Sequence, residues 1–160
     1  MQNEGSNQAN NEALSQLLEI MQTLRNPEGG CPWDLKQTFA SIVPHTLEEA
    51  YEVADCIERG DLSELKGELG DLLFQIVFYA QLAQEQQLFN FNDVVAQLNE
   101  KLVRRHPHVF TAQDTPTTDA ELAAQWQAIK AQERATKPQD ESSALWQDIP
   151  NSLPSLTKAK

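Results

Sequence analysis

The chain has 160 residues, a formal net charge of −12 and 40% hydrophobic residues. That length buries a single core and sets the expectation of one domain with tails. The acidity argues against a nucleic-acid polymer as partner, since phosphate-backbone binding needs a basic stripe, and against an anionic membrane surface. No apolar run reaches the roughly 18 residues needed to span a bilayer. Cys31 and Cys56 have neither zinc-type spacing nor a disulfide framework, and the N-terminus lacks a basic-then-apolar signal pattern. The expectation is a cytoplasmic protein with free thiols. β-branched alternation is nearly absent, so the expected fold is all-α.

Residues 1–10 are polar and rich in Asn and Gln, and are expected to form a disordered leader. Leu14, Leu17, Leu18, Met21 and Leu24 mark the apolar face of a first helix. The breaker cluster Asn26-Pro27-Glu28-Gly29-Gly30 follows. Trp33, in Cys31-Pro32-Trp33-Asp34, is either a core plug or the wall of a pocket, because loops carry ligand contacts out of proportion to their length. Lys36 adds a positive charge nearby. Phe39, Ile42 and Val43 form a short apolar segment that Pro44 is expected to close.

A second helix is predicted from about Leu47 to Arg59 and a third from Asp61 to about Gln87. Gly60 is the stop between them and Asp61 the new N-cap. Glu49 with Glu52, and Glu68 with Asp71, are i, i+3 pairs, so each pair shares a helix face. Glu52 lies eight residues before Gly60 and Glu68 eight after it, and Glu49 and Asp71 lie eleven away on either side. In an antiparallel hairpin the four carboxylates therefore meet, roughly 12 and 16 Å from the turn. Two carboxylates about 4 Å apart repel by roughly 4 kcal/mol at an effective dielectric near 20. Either protons or a divalent cation must relieve that repulsion. All-oxygen ligands without a Cys or His pair suit Mg²⁺, with Mn²⁺ as a substitute, rather than zinc. The alternative is a solvated acidic face, and Glu49 has a competing role in a Thr46-x-x-Glu49 capping box. Gly67 and Gly70 inside the third helix read either as close approach of a neighbouring helix or as room for a ligand. Past Gly70 the helix is apolar on more than one side, as in a deeply buried helix or one shared with another subunit.

A fourth helix, with Asn92 as its expected cap, ends in Lys101, Arg104, Arg105 and His106 before Pro107. These cations either complement the helix C-terminal dipole or seat a phosphate chain. A fifth helix is expected after Thr118-x-x-Glu121, with Leu122, Trp126 and Ile129 as its stripe. From residue 137 the chain reads as a polar tail or linker, which leaves residues 11–136 as the helical domain.

Four blocks of sequence carry a resemblance. They are Gly30-Cys31-Pro32-Trp33-Asp34, Leu47-Glu48-Glu49-x-x-Glu52, Gly67-Glu68-Leu69-Gly70-Asp71-Leu72-Leu73, and Lys101-Leu102-x-Arg104-Arg105-His106-Pro107-His108-Val109-Phe110. In unbroken order over about residues 14–135, the chain closely resembles the MazG-type nucleoside triphosphate pyrophosphohydrolases. The resemblance implies an antiparallel helical bundle that assembles as a dimer or tetramer, with its site near the subunit interface. It implies Mg²⁺ at Glu49, Glu52, Glu68 and Asp71, and hydrolysis of NTPs or dNTPs, with loose base specificity, to the monophosphate and pyrophosphate. Within that chemistry Glu48 or Glu49 orients or deprotonates the water, with Glu49 favoured as a ligand. Lys36, Lys101, Arg104 and Arg105 meet phosphate, and Trp33 stacks on the base. Gly67 stands where many relatives carry an acidic residue, and Leu35 where many carry Lys. Leu153-Pro154-Ser155-Leu156 is similar to the linker after the first of two MazG domains. The alternative is therefore a catalytically weak or inactive oligomerisation or nucleotide-sensing domain of a larger MazG protein.

Overall fold

A stripe of Leu17, Leu18 and Met21 seats the first helix on the core. The structure, a computed structural model, describes residues 2–111 and 115–136. Among them lie seven helices and no strand: α1 Gln2–Leu24, α2 Pro32–Leu35, α3 Phe39–Arg59, α4 Leu62–Glu85, α5 Phe91–Arg105, α6 Pro107–Phe110 and α7 Asp119–Thr136. The all-α expectation holds. The chain divides into two compact units, Met1–Leu98 and Asn99–Lys160. The expected tail, residues 137–160, lies outside the described residues. No helix among the described residues is long and apolar enough to cross a membrane.

Two helix starts differ from expectation. Helix α1 begins at Gln2, so it takes in the segment read as a leader, although residues 3–10 are all exposed. Extending a helix already nucleated by the Leu14–Leu24 stripe fixes one residue per new hydrogen bond, which is far less costly than nucleation. Helix α3 begins at Phe39 rather than Leu47 and runs through Pro44. Its start is a capping box: Thr38 Oγ1 accepts from the Ser41 amide at 3.2 Å, and Ser41 Oγ accepts from the Thr38 amide at 2.8 Å. Burial of Ile42 and packing of Phe39 against the core outweigh the hydrogen bond that proline removes. Thr46 is consequently mid-helix and caps nothing, which releases Glu49 from the expected capping box.

The core of the first unit is Met21, Ile42, Val77, Phe78 and Leu82, contributed by α1, α3 and α4. Helix α3 packs most extensively on α4, and α1 also packs on α4. Gly60 ends α3 with φ 72° and ψ 18°, the left-handed conformation that glycine adopts without penalty. Helix α5 is capped by Asn90, not Asn92. Asn90 Oδ1 accepts from the Asp93 amide at 3.0 Å, and Asp93 Oδ2 accepts from the Asn90 amide at 2.9 Å. Helix α7 starts as expected, with Thr118 Oγ1 accepting from the Glu121 amide at 3.2 Å.

The turn before α2 depends on Gly30. A Cβ there would lie 2.5 Å from the Leu24 carbonyl oxygen and would also strike the Asn26 carbonyl. Both obstacles are backbone that the turn itself fixes, through Gly30 N–H to Asn26 O and Cys31 N–H to Leu24 O, each 2.9 Å. Gly30→Ala should therefore destabilise the protein by about 1–3 kcal/mol, read as a lower denaturant midpoint at unchanged m-value.

Candidate metal centre

The hairpin of α3 and α4 brings the four predicted carboxylates together. Glu49, Glu52, Glu68 and Asp71 each offer an oxygen, and these oxygens all lie within 4.8 Å of one another. Below them, Thr46 Oγ1 contacts the Tyr79 hydroxyl at 2.6 Å and donates to Gln75 Oε1 at 3.2 Å. That polar tie links α3 to α4 beside the core. Glu49 and Glu68 are half-buried, Glu52 and Asp71 exposed.

The electrostatics are those of charges crowded without relief. The Glu49 carboxyl is held above its ordinary range, first by burial, then by the charges of Glu52 and Asp71. The Glu68 carboxyl is raised as well, first by a hydrogen bond with Glu52, then by burial and the same acidic neighbours. Glu49 Oε2 and Glu68 Oε2 are buried oxygens without a hydrogen-bond partner. Such orphaned acceptors are uncommon in folded proteins. Four clustered carboxylates, two of which carry an unpartnered buried oxygen, fit a divalent cation held by oxygen ligands.

Glu48 lies outside this group. It is exposed at the position before Glu49 on α3 and adds its charge to the field that raises Glu49. Sequence reasoning missed Cys56, which is buried and, with Glu64 and Glu68, forms a second set of ligand atoms within 4.8 Å. Burial raises its thiol pKa, against the opposing charge of Arg59. Its spacing, one helical turn after Glu52, was the available signal. Gly67 and Gly70 are exposed, and a Cβ on either would meet nothing within 4 Å. Among the described residues no neighbouring helix uses them for close approach.

Trp33 and Lys36 lie on and beside α2. Trp33 is 49% exposed rather than a core plug, and its ring meets His45 of α3 edge-on at 5.5 Å. His45 was not singled out from the sequence. The α2 turn is anchored by Arg25, only 10% of whose side chain is exposed. Its guanidinium donates to the Asp34 carbonyl at 2.6 Å, to the Gln37 carbonyl at 3.4 Å, and to both Glu85 oxygens at 3.0 and 2.6 Å. That pairing lowers the Glu85 pKa.

The basic end of α5 belongs to the second unit, where Glu133 of α7 occupies the arginines. Arg104 Nε donates to Glu133 at 2.9 Å, and Arg105 donates through Nε at 3.2 Å and Nη2 at 2.8 Å. Arg104 also pairs with Glu100 at 2.9 Å. The Arg105 guanidinium covers the Trp126 ring at 5.1 Å, and His106 meets the same ring at 5.4 Å. Trp126 is thus packing, as its stripe predicted. Lys101 is half-buried. Arg105, followed by Arg104, lowers the Glu133 pKa to about 2. Glu133→Gln should cost about 1–2 kcal/mol, because Arg104 is partly screened by solvent. A lowered carboxylate stabilises the fold above its unfolded pKa and loses that contribution as pH falls through the folded value. The deficit of the variant should therefore be full at neutral pH and fade between pH 4.5 and about 2, as followed by Trp fluorescence during urea unfolding.

Residues 37–110 match the model of the MazG nucleotide pyrophosphohydrolase domain. Over 147 residues the chain is 58% identical to the nucleoside triphosphate pyrophosphohydrolase of Escherichia coli K12, covering 92% of this chain and 54% of that protein.

Residues 37–110 are a MazG domain.

A MazG nucleoside triphosphate pyrophosphohydrolase/pyrophosphatase of Thermotoga maritima is 45% identical, again over 92% of this chain and 54% of the relative. The chain thus spans about half the length of these curated relatives. The crystal structure of a mazG-related protein from Thermotoga maritima superimposes with a TM-score of 0.60 at 27% identity, covering 73% of this chain and 98% of that one. The MazG match takes in the four clustered carboxylates, Glu48, and the basic residues Lys101, Arg104 and Arg105. Trp33 and Lys36 precede it.

Proposed function

We propose that this MazG domain hydrolyses nucleoside triphosphates, ribo- or deoxyribo- and with loose base preference, to the monophosphate and pyrophosphate in a Mg²⁺-dependent reaction. The observation that carries the reading is the cluster of Glu49, Glu52, Glu68 and Asp71 with its two orphaned oxygens. These four side chains would hold the ion, with Mn²⁺ as a substitute. When bound, the ion supplies charge neutralisation at the phosphate oxygens in the transition state.

The chain's own residues do the rest. The water oxygen joins the α-phosphorus in line, and the bond from that phosphorus to the bridging oxygen breaks, so pyrophosphate leaves with the bonding pair. Glu48, exposed beside the cluster, orients the water and takes its proton. Glu49 shares that assignment, although its place among the four favours a ligand role. Trp33 offers an exposed ring to the base. Lys36, Lys101, Arg104 and Arg105 are assigned the phosphate chain from their motifs. Since Glu133 already engages both arginines, Lys101 is the stronger candidate at that end of α5.

The test is pyrophosphate release from a panel of NTPs and dNTPs, with Mg²⁺ and with chelator. Mg²⁺-dependent release by the folded wild-type protein is expected. Absence of release, or release unaffected by chelator, would overturn the assignment.

A second reading is supported by α4, where Leu69, Leu73 and Ile76 are exposed beside the open Gly67 and Gly70. An apolar face of this kind suits a second copy of the chain, in a dimer or tetramer. The corresponding function is a weakly active oligomerisation or nucleotide-sensing domain. It predicts self-association by sedimentation and nucleotide binding without turnover, and brisk turnover would reject it.

A further inference from the structure

We infer that Trp33 and His45 together form the platform that receives the nucleobase, with His45 the specificity-determining member. The inference rests on the proposed nucleotide chemistry and adds a residue to it. Three observations carry it.

The first is register. His45 lies four residues before Glu49 and seven before Glu52 on α3. It therefore shares their helix face, one turn from the nearer carboxylate. A turn rises about 5.4 Å, a length that a ribose and its 5′ carbon can bridge. A triphosphate held at the carboxylates would bring its base to the level of His45.

The second is the ring pair itself. Trp33 meets His45 edge-on at 75° and 5.5 Å. In that arrangement one ring buttresses the other. Trp33 is 49% exposed, so its indole offers surface for stacking, which is tolerant of base identity because every base has a π-face. The imidazole nitrogens add hydrogen-bonding capacity at the platform edge. That capacity separates one base from another where stacking does not.

The third is rigidity. The turn that carries Trp33 is fixed at the backbone, which leaves only the two side-chain torsions of the indole to be ordered on binding. Gln37 Nε2 donates to the Trp33 carbonyl at 2.8 Å, Arg25 donates to the adjacent Asp34 carbonyl at 2.6 Å, and Cys31 N–H bonds Leu24 O at 2.9 Å. A preorganised aromatic surface loses little entropy on binding.

The experiment compares His45→Ala, His45→Phe and Trp33→Phe with wild type on ATP, CTP, GTP, UTP and methyl triphosphate, which has no base. His45→Ala should raise KM for the four NTPs about tenfold with kcat nearly unchanged, and leave methyl triphosphate unaffected. His45→Phe should keep the overall KM but level the differences among bases. An equal KM change on methyl triphosphate, or an unchanged base profile in both His45 variants, overturns the inference while the pyrophosphohydrolase reading stands. Should wild type release no pyrophosphate, that reading fails and binding decides the platform separately. ATP titrated with Mg²⁺ present should then quench a fluorescence component that Trp33→Phe removes, and His45→Ala should weaken the quenching about tenfold. Quenching that survives Trp33→Phe, or no quenching in wild type, rejects the platform.

Discussion

Glu52→Ala should lower divalent-dependent pyrophosphate release by more than about 100-fold while making the metal-free protein harder to melt. Loss of groups that merely orient metal ligands already costs about 10–100-fold, and Glu52 is one of the four proposed ligands. The opposite effect on stability follows from the same geometry. Glu52 supplies charge that raises both the Glu49 and the Glu68 carboxyl, so its removal relieves repulsion in the absence of a cation. Calorimetry in chelator should give a higher midpoint for the variant than for wild type, and added Mg²⁺ should raise the midpoint of wild type alone. A variant that melts lower in chelator would mean that the four side chains are not in mutual repulsion.

The pH dependence carries the same sign. Glu49 and Glu68 have folded pKa values above the ordinary 4.5, so the folded chain binds more protons than the unfolded one. Their contribution to stability is full below the unfolded value and is lost as pH rises through the raised values. Metal-free wild type should therefore lose stability as pH rises above about 4.5, relative to Glu49→Gln/Glu68→Gln. Saturating Mg²⁺ should abolish that difference. Glu85 and Glu133 act in the other direction and only at lower pH, since their values are depressed.

Arg25→Ala should destabilise the fold by about 2–3 kcal/mol, in the range for hydrogen bonds to charged groups, and should release α2. One guanidinium holds the Asp34 and Gln37 carbonyls and the Glu85 carboxylate, and lies 5.8 Å from the centre of the Phe78 ring. Its loss leaves Glu85 without its principal partner and the carbonyls of a tight turn unpaired. Arg25→Lys should recover only part of the deficit, because an ammonium cannot reproduce the forked geometry. Denaturant midpoints of the three proteins check the order. Hydrogen exchange at the Leu35 and Gln37 amides, which donate to Cys31 O at 3.0 Å and Asp34 O at 3.2 Å, should rise in Arg25→Ala even under conditions where the core stays protected.

The carboxylate cluster was legible in the sequence because two regularities coincide there. Helical spacing put each pair on one face, and Gly60 fixed the point about which the pairs are mirrored. The start of α3 was not legible in the same way. Local rules favour a stop at Pro44, and only tertiary burial of Phe39 and Ile42 carries the helix across it. Misplacing that start gave Thr46 a capping role and left His45 outside a helix, which hid its register with Glu49. The cap of α5 was misread because Asn90 and Asn92 are chemically alike and only the reciprocal bonds with Asp93 choose between them. The fate of Arg104 and Arg105 depended on Glu133, nearly thirty residues away. No periodicity within one helix reports a partner at that distance.

The hydroxyl contact between Thr46 and Tyr79, with Gln75 beside it, acts as a register lock on the hairpin. The carboxylates lie between it and the Gly60 corner, so one helix cannot slide along the other without breaking a fastening at one end. Mutual repulsion can then swing the acidic side chains outward but cannot shift the backbones that carry them. Capture of a cation becomes a matter of rotamers rather than of folding, and should be fast.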